Sequence, residues 1–272
     1  MLICIHLFIY YNWSILDLPD SLTCLCDVVT CDLVLIEQSN ICGDDFSIST
    51  LLEKANANLG IPEDEPLVIF GDIAVPTGLQ NADPCTARGC LWPKNNGRVV
   101  VPYRISDQER DVIEQGLRSF EAATCVSFRP QSRERDFLDI QSLSLSRQGC
   151  VFHQIVQHEV LHALGFDHEQ TRSDRDQHVR ILLENVIPGM EHNFRKINTR
   201  NLDTPYDYNS VMHYGRFAFS RDREPTIVPI PDENVAIGRA TEMSANDILR
   251  VNRLYTCSMY LVSFRFFFFP FL

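Results

Sequence analysis

Apolar and polar positions sort the middle and end of the chain into strands first and helices later. Arg98-Val-Val-Val-Pro-Tyr-Arg-Ile105 is a β-type run, rich in branched residues. Ser106-Asp-Gln-Glu109 then has the form of a capping box. After it Ile113, Leu117 and Phe120 fall at helical spacing, which predicts a helix ending near Thr124. Two short strand-like pieces follow, Cys125–Phe128 and Phe137–Ile140. A second helical pattern covers about His153–Leu164. A third covers Ser244–Tyr255, opening Ser-x-x-Asp and directing Ile248, Val251 and Tyr255 to one face. Earlier in the chain, residues 44–60 could form a short helix stopped by Gly60 and Pro62. Residues 71–84 carry Gly71, Pro76, Gly78, Asn81 and Pro84, a loop composition. Strands, then helices joined by long loops, predict an α+β fold.

Charge divides the chain at the same loop. Residues 1–81 hold twelve acids and one base, Lys54, whereas the rest holds 23 bases and 24 acids. An acidic segment is thus joined to a near-neutral body, and the two are expected to do different jobs. The overall charge of -12 excludes a nucleic-acid binder as the first reading. No apolar run reaches the roughly 18 residues that a membrane helix needs.

The chain has ten cysteines and no Cys-x-x-Cys pair, which favours an oxidising, extracellular setting over a four-cysteine zinc module. Residues 1–20 read as an atypical signal segment. Leu2–Tyr11 is apolar, but no Lys or Arg precedes it and no tidy cleavage site follows. Residues 258–272 form an apolar tail, too short to span a bilayer and outside the working domain.

Chemistry concentrates in Gln157-His158-Glu159-Val160-Leu161-His162-Ala163-Leu164-Gly165-Phe166-Asp167-His168. His158 and His162 are four apart, so on a helix they share a face and can grip one metal ion. Gly165 can end that helix in a left-handed turn and bring His168 to the same ion. Three neutral imidazoles leave a tetrahedral zinc one open position, and zinc lowers the pKa of a water there to about 7. Glu159, beside the histidines, can take that water's proton and later deliver it to a leaving amine. This arrangement supports peptide-bond hydrolysis. A closed structural zinc site would need a fourth side-chain ligand, and no cysteine lies near in sequence.

His158-Glu-x-x-His162-x-x-Gly165-x-x-His168 resembles the metzincin metalloproteases. The continuation His168-Glu-Gln-Thr-Arg-Ser-Asp-Arg-Asp176, with Pro205-Tyr-Asp-Tyr208 and Ser210-Val-Met-His-Tyr214, resembles the astacins. Asn81-Ala-Asp-Pro-Cys85 with its Cys-x4-Cys loop is most similar to the vertebrate hatching enzymes and nephrosin-like members. The resemblance spans about residues 48–257. It implies an astacin-like protease domain over 82–257 with a twisted sheet, an active-site helix and a C-terminal helix, preceded by a pro-segment over 21–81. It implies His158, His162 and His168 as ligands of one zinc ion, and Glu159 as catalytic acid/base. Tyr214 becomes a resting fifth ligand that later hydrogen-bonds the tetrahedral intermediate, and Met212 the apolar floor of the site. On spacing alone Tyr214 is a core tyrosine and Met212 core filler.

The same resemblance makes Glu169 the partner of a new N-terminal amine on Asn81 or Ala82, released by an activating protease. On sequence alone Glu169 could equally be a solvated charge. Ile69-Phe70-Gly71-Asp72 is similar to the pro-segment's FxGD switch motif, keeping Gly-Asp but with Ile69 in the aromatic position and Phe70 one place late; Asp72 becomes the carboxylate that silences the zymogen, though by itself Gly71-Asp72 reads as a turn. The implied disulfides are Cys85–Cys90 and Cys125–Cys257. The family's substrate-binding edge strand, which carries the usual partner of Cys150, has almost no room between Ile140 and Ser144, so Cys150 is left unpaired. The expected function is a secreted zinc endopeptidase made as a zymogen, acting on extracellular protein or peptide substrates such as egg-envelope proteins. The missing strand supports an alternative, a catalytically impaired zinc-binding relative.

Overall fold

The computed structural model describes Ser47 and residues 67–69, 73–75, 91–105, 110–140 and 153–258. The elements are β1 (Leu67–Ile69), β2 (Ile73–Val75), β3 (Lys94–Asn95), β4 (Arg98–Ile105), α1 (Arg110–Ala123), β5 (Val126–Pro130), β6 (Leu138–Ile140), α2 (His153–Ala163), β7 (Val179–Ile181), β8 (Ile227–Pro229) and α3 (Ala245–Leu254). Four 3₁₀ turns lie between α2 and β8. The architecture is α+β, as the order of patterns predicts.

β4 organises the main sheet. It pairs parallel with β5 from Val99–Val126 to Tyr103–Pro130, and parallel with β6 from Tyr103–Leu138 to Ile105–Ile140. Its first residues form an antiparallel hairpin with β3. Asn96 and Gly97 make that turn with φ of 51° and 81°, the left-handed pair that matches strand twist. Val99, Val101, Tyr103 and Ile105 point to one face with period two and are buried there. α1 covers them with Ile113, Leu117 and Phe120, and α2 with Ile155, Val156, Val160 and Leu161. The two helices cross closely because residue 116 is glycine: a Cβ there would stand 2.5 Å from Cγ1 of Val156.

A second apolar cluster, around Phe194, Tyr206, Tyr214, Phe219 and Ile227, is built almost entirely from loops and the small β7–β8 pair. α3 closes the domain. Its Ser244–Asp247 capping box forms as the sequence predicts, and Val251 and Tyr255 are buried while Ile248 is partly so. Cys125 and Cys257 are disulfide-bonded, tying the start of β5 to the residues after α3.

One reading needs correction. Residues 71–84 are not all loop, because Ile73–Val75 is a strand paired with Leu67–Ile69. Branched residues at 69, 73 and 75 outweigh the surrounding glycines and prolines. The proposed helix over 44–60 (apart from Ser47), the Ser106–Glu109 box, Asp72, Cys85, Cys90, Cys150 and both apolar ends lie outside the described residues. Among the described residues no helix is long and apolar enough to cross a membrane.

Candidate metal centre and active site

α2 carries the site, and its C-terminal end shapes it. Gly165 has φ of 100°, its N–H donates to the His162 carbonyl, and the Phe166 N–H donates to the Leu161 carbonyl. These two bonds stop the helix with a left-handed turn. The indole of Trp92 donates to the carbonyl of Ala163 at 2.9 Å, and the Tyr255 hydroxyl to that of Leu164 at 3.0 Å. The helix end therefore leaves no loose carbonyls there, and the chain turns back to deliver His168.

The three imidazoles converge. Nε2 of His158 lies 3.1 Å from Nε2 of His162 and 3.2 Å from Nε2 of His168. Nitrogens bound at about 2.0–2.1 Å to one tetrahedral zinc would stand roughly 3.3–3.4 Å apart, so the spacing fits the ion. The opposite ring nitrogens fix the tautomers. Nδ1 of His158 faces the Val211 carbonyl at 2.8 Å, and Nδ1 of His162 faces the Phe166 carbonyl at 2.8 Å. A carbonyl only accepts, so each Nδ1 carries the proton and each Nε2 lone pair is turned to the common centre. His158, His162 and His168 are the group of metal-binding type found among the described residues.

The loop Ser210–Tyr214 is held under this centre by α3. The Asp247 carboxylate accepts from the Ser210 hydroxyl at 2.7 Å, the Val211 N–H at 3.0 Å and the Ser244 N–H at 2.9 Å. That grip sets the Val211 carbonyl that orients His158. Met212 is buried and joined to the next turn, its carbonyl accepting from the Glu169 N–H. Tyr214 is buried with its ring centroid 4.4 Å from that of His168. Its N–H donates to the Gln170 side chain at 3.1 Å. Burial pushes the His213 imidazole down to about 4, so the neutral ring accepts from the Tyr206 hydroxyl and donates to the Tyr214 carbonyl.

Asn81 and Ala82, the expected sources of an amine partner for Glu169, lie outside the described residues, and Glu169 is held within the domain. Its carboxylate takes a two-pronged contact from Arg250, at 2.6 and 2.8 Å, with Arg172 at 3.5 Å and the Asp207 N–H at 2.7 Å. Burial raises this carboxyl to about 7, while Arg250 and Arg172 pull against it. Arg250 was not legible as a site residue. The available signal was its place three residues after Asp247, on the same face of α3. A cavity of about 160 Å³ opens beside Glu169 and Arg250, bordered also by Asp167, Arg172 and Asn198.

Two histidines on a helix and a third from the turn after it, a fixed loop beneath them and a glutamate next in sequence to the first define a zinc peptidase of the metzincin type. The family model for Astacin, a peptidase family, matches residues 139–256. Low choriolytic enzyme of Oryzias latipes is 48% identical over 213 residues, covering 70% of this chain and 78% of that protein. High choriolytic enzyme 1 of the same fish is 45% identical over 241 residues, covering 79% and 86%. The solved structure of high choriolytic enzyme 1, a hatching enzyme zinc-protease, superposes with a TM-score of 0.60 at 46% identity, covering 65% of this chain and all of that one. The chain belongs to the astacin family of zinc metalloendopeptidases.

Proposed function

We propose that the protein is a secreted endopeptidase, made as a zymogen, that cuts extracellular proteins of the egg-envelope type. The convergence of three imidazoles, two of them oriented through Nδ1, with Glu159 next in sequence to the first, carries the chemical part of this reading. The likeness to choriolytic enzymes carries the substrate part.

Bound to His158, His162 and His168, zinc would act as a Lewis acid toward the scissile carbonyl and would acidify water. Glu159 follows His158 on α2, where it serves as base toward the attacking water and then as acid toward the departing amine. Tyr214, beside His168, is suited to donate its phenolic hydrogen to the oxygen on which negative charge develops. Met212 and the bonds of Asp247 keep this group fixed during the reaction.

The acidic residues 21–81 act as the pro-segment and Asp72 as its silencing carboxylate. Cleavage just before Asn81 or just before Ala82 removes the segment and leaves the protease domain, 82–257, with a new amine on one of those two residues. The cavity beside Glu169 gives that amine a place to enter, where it would join the Arg250 pair. The disulfides of the mature domain are Cys125–Cys257, seen in the structure, and Cys85–Cys90.

A catalytically impaired zinc protein is the second reading. The sequence motivates it, with almost nothing between Ile140 and Ser144, where the family's substrate-binding strand would fall. Cleavage of denatured casein and of isolated egg envelopes by the processed chain distinguishes the two. The endopeptidase reading expects cleavage that a chelator stops and added zinc restores. Zinc binding without cleavage of either substrate would establish the impaired reading instead.

A further inference from the structure

Beside Phe194, whose ring packs edge-on to that of Tyr214, a groove of about 660 Å³ runs between β7 and residues 191–196. Its floor is apolar, formed by Val179, Ile181, Phe194 and Ile230, and Leu183 stands at its edge. Leu183, Ile187 and Met190, on one short segment, are 50%, 39% and 40% exposed. They extend the apolar surface beyond the groove. Bases outnumber acids along the rim: Arg180, Arg195 and Lys196 are exposed there with Asp176 and Glu191, and Arg175 is buried beside them. Among the described residues Arg180 and Arg195 have no ion-pair partner. Lys196 meets Asp176 at 2.5 Å, a carboxylate it shares with Arg175. An apolar trough edged by unpaired guanidinium groups suits an extended peptide with apolar residues between carboxylates.

The chain contains such a peptide. Asp32-Leu-Val-Leu-Ile-Glu37 places four aliphatic residues between two acids, and Asp27 lies five residues ahead of Asp32. These residues belong to the acidic segment outside the described structure. Being on the same chain, they reach the groove at high effective concentration even if the free peptide binds weakly. We propose that residues 27–37 dock in this groove in the uncut protein, with Asp27, Asp32 and Glu37 facing Arg180, Arg195 and Lys196.

The inference deepens the reading of 21–81 as a pro-segment, on which its regulatory consequence rests: removing the segment frees the groove. Phe194 packs edge-on to Tyr214, 6.2 Å ring to ring, so one buried ring separates the groove from the group beside the metal centre. The anchor is separate from the silencing role given to Asp72.

The chain has three lysines, Lys54, Lys94 and Lys196, which makes a carbodiimide test specific. The reagent joins a lysine amine to a carboxylate in contact with it. In the uncut full chain the expected products are Lys196 linked to Asp32, Glu37 or Asp27, alongside the internal Lys196–Asp176 link. Reversing charge with Arg180→Glu and Arg195→Glu together should lower the new links by about tenfold and spare Lys196–Asp176. Lys196 linked to Asp176 alone would overturn the proposal. So would links indifferent to the two reversals, or links formed only between differently isotope-labelled molecules. N-terminal sequencing of the processed protein tests the pro-segment reading separately, since docking can succeed whether or not cleavage follows residue 81.

Discussion

The layered half of the domain and the looped half are held together by different means. In the layered half β4, α1 and α2 bury an apolar face, and among its described residues 91–164 the buried polar side chains are Thr124, Gln157 and His158. In the looped half, from His168 to Thr226, regular elements are short, and Glu169, Gln170, Arg172, Arg175, Asp207 and His213 are all buried. There, hydrogen bonds and ion pairs replace helices and sheets as the means of satisfying the backbone. Arg175 donates to the carbonyls of Gln170 and Phe194, and Arg172 to those of Thr204 and Pro205. The metal centre sits on the seam, with two ligands from α2 and the third from the first turn of the loops. The layered half is a scaffold that needs apolar area. The looped half needs its charges paired, and zinc would bind the two halves together.

The comparison can be broken most severely at the covalent tie. The Cys125–Cys257 bond ties the layered half to the residues after α3, and the 132 positions it closes include the whole looped half. Replacing both cysteines with serine is predicted to cost about 4–5 kcal/mol in the chain-entropy view, read by chemical denaturation. A loss below about 1 kcal/mol would show that the halves hold each other without it.

A matched pair of substitutions sharpens the contrast. Phe120→Ala in the layered half is predicted to cost about 3–5 kcal/mol of stability and to leave zinc affinity unchanged. Glu169→Ala in the looped half is predicted to cost about 3–5 kcal/mol, because it takes the two-pronged partner from buried Arg250, leaving it Asp247 at 3.6 Å, while Arg172 keeps Asp174. It should also weaken zinc binding by about 10–100-fold, because the lost carboxylate accepts from the Asp207 N–H, in the turn that leads into Ser210–Tyr214 beneath the site. Equal zinc affinity in the two variants, measured by competition with a chelating dye, would dissolve the distinction.

Smaller effects are expected where one bond is removed. Trp92→Phe deletes the donor to the Ala163 carbonyl and should lower stability by about 1 kcal/mol. Least of all, Glu134 in the β5–β6 turn is held down to about 2, chiefly by the N–H of Ser132. Its folded pKa is depressed, so its contribution is full above the usual 4.5 and disappears as pH falls toward 2. Titration of Glu134 by NMR should show that low midpoint, and Glu134→Gln should flatten the corresponding part of the acid-stability curve.

Much of the layered half was legible because its signals are local. β4 has the boundaries its branched run predicts, and α2 begins at His153 as its pattern does. The α3 box of Ser244 and Asp247 needed only four residues to announce itself. The three histidines were legible because i, i+4 spacing and a glycine stop define geometry within eleven residues. The looped half was less readable. β7 and β8 are three residues each and meet from 179 to 229, a pairing no local pattern encodes. The Glu169–Arg250 contact joins positions 81 apart. A family resemblance assigned Glu169 a terminal amine, but only tertiary packing could reveal that α3 already brings it a guanidinium. The Asn96-Gly97 hairpin was available in the sequence, hidden by the shortness of β3.

The central claim is that three imidazoles hold zinc while Glu159 moves the proton. The direct measurement pairs zinc content with substrate cleavage in the processed wild-type protein and in Glu159→Ala. The account predicts about one zinc per chain in both, with cleavage lowered by at least about 10²-fold in the variant alone. Undiminished cleavage by Glu159→Ala, or active wild-type protein that binds no zinc, would contradict it.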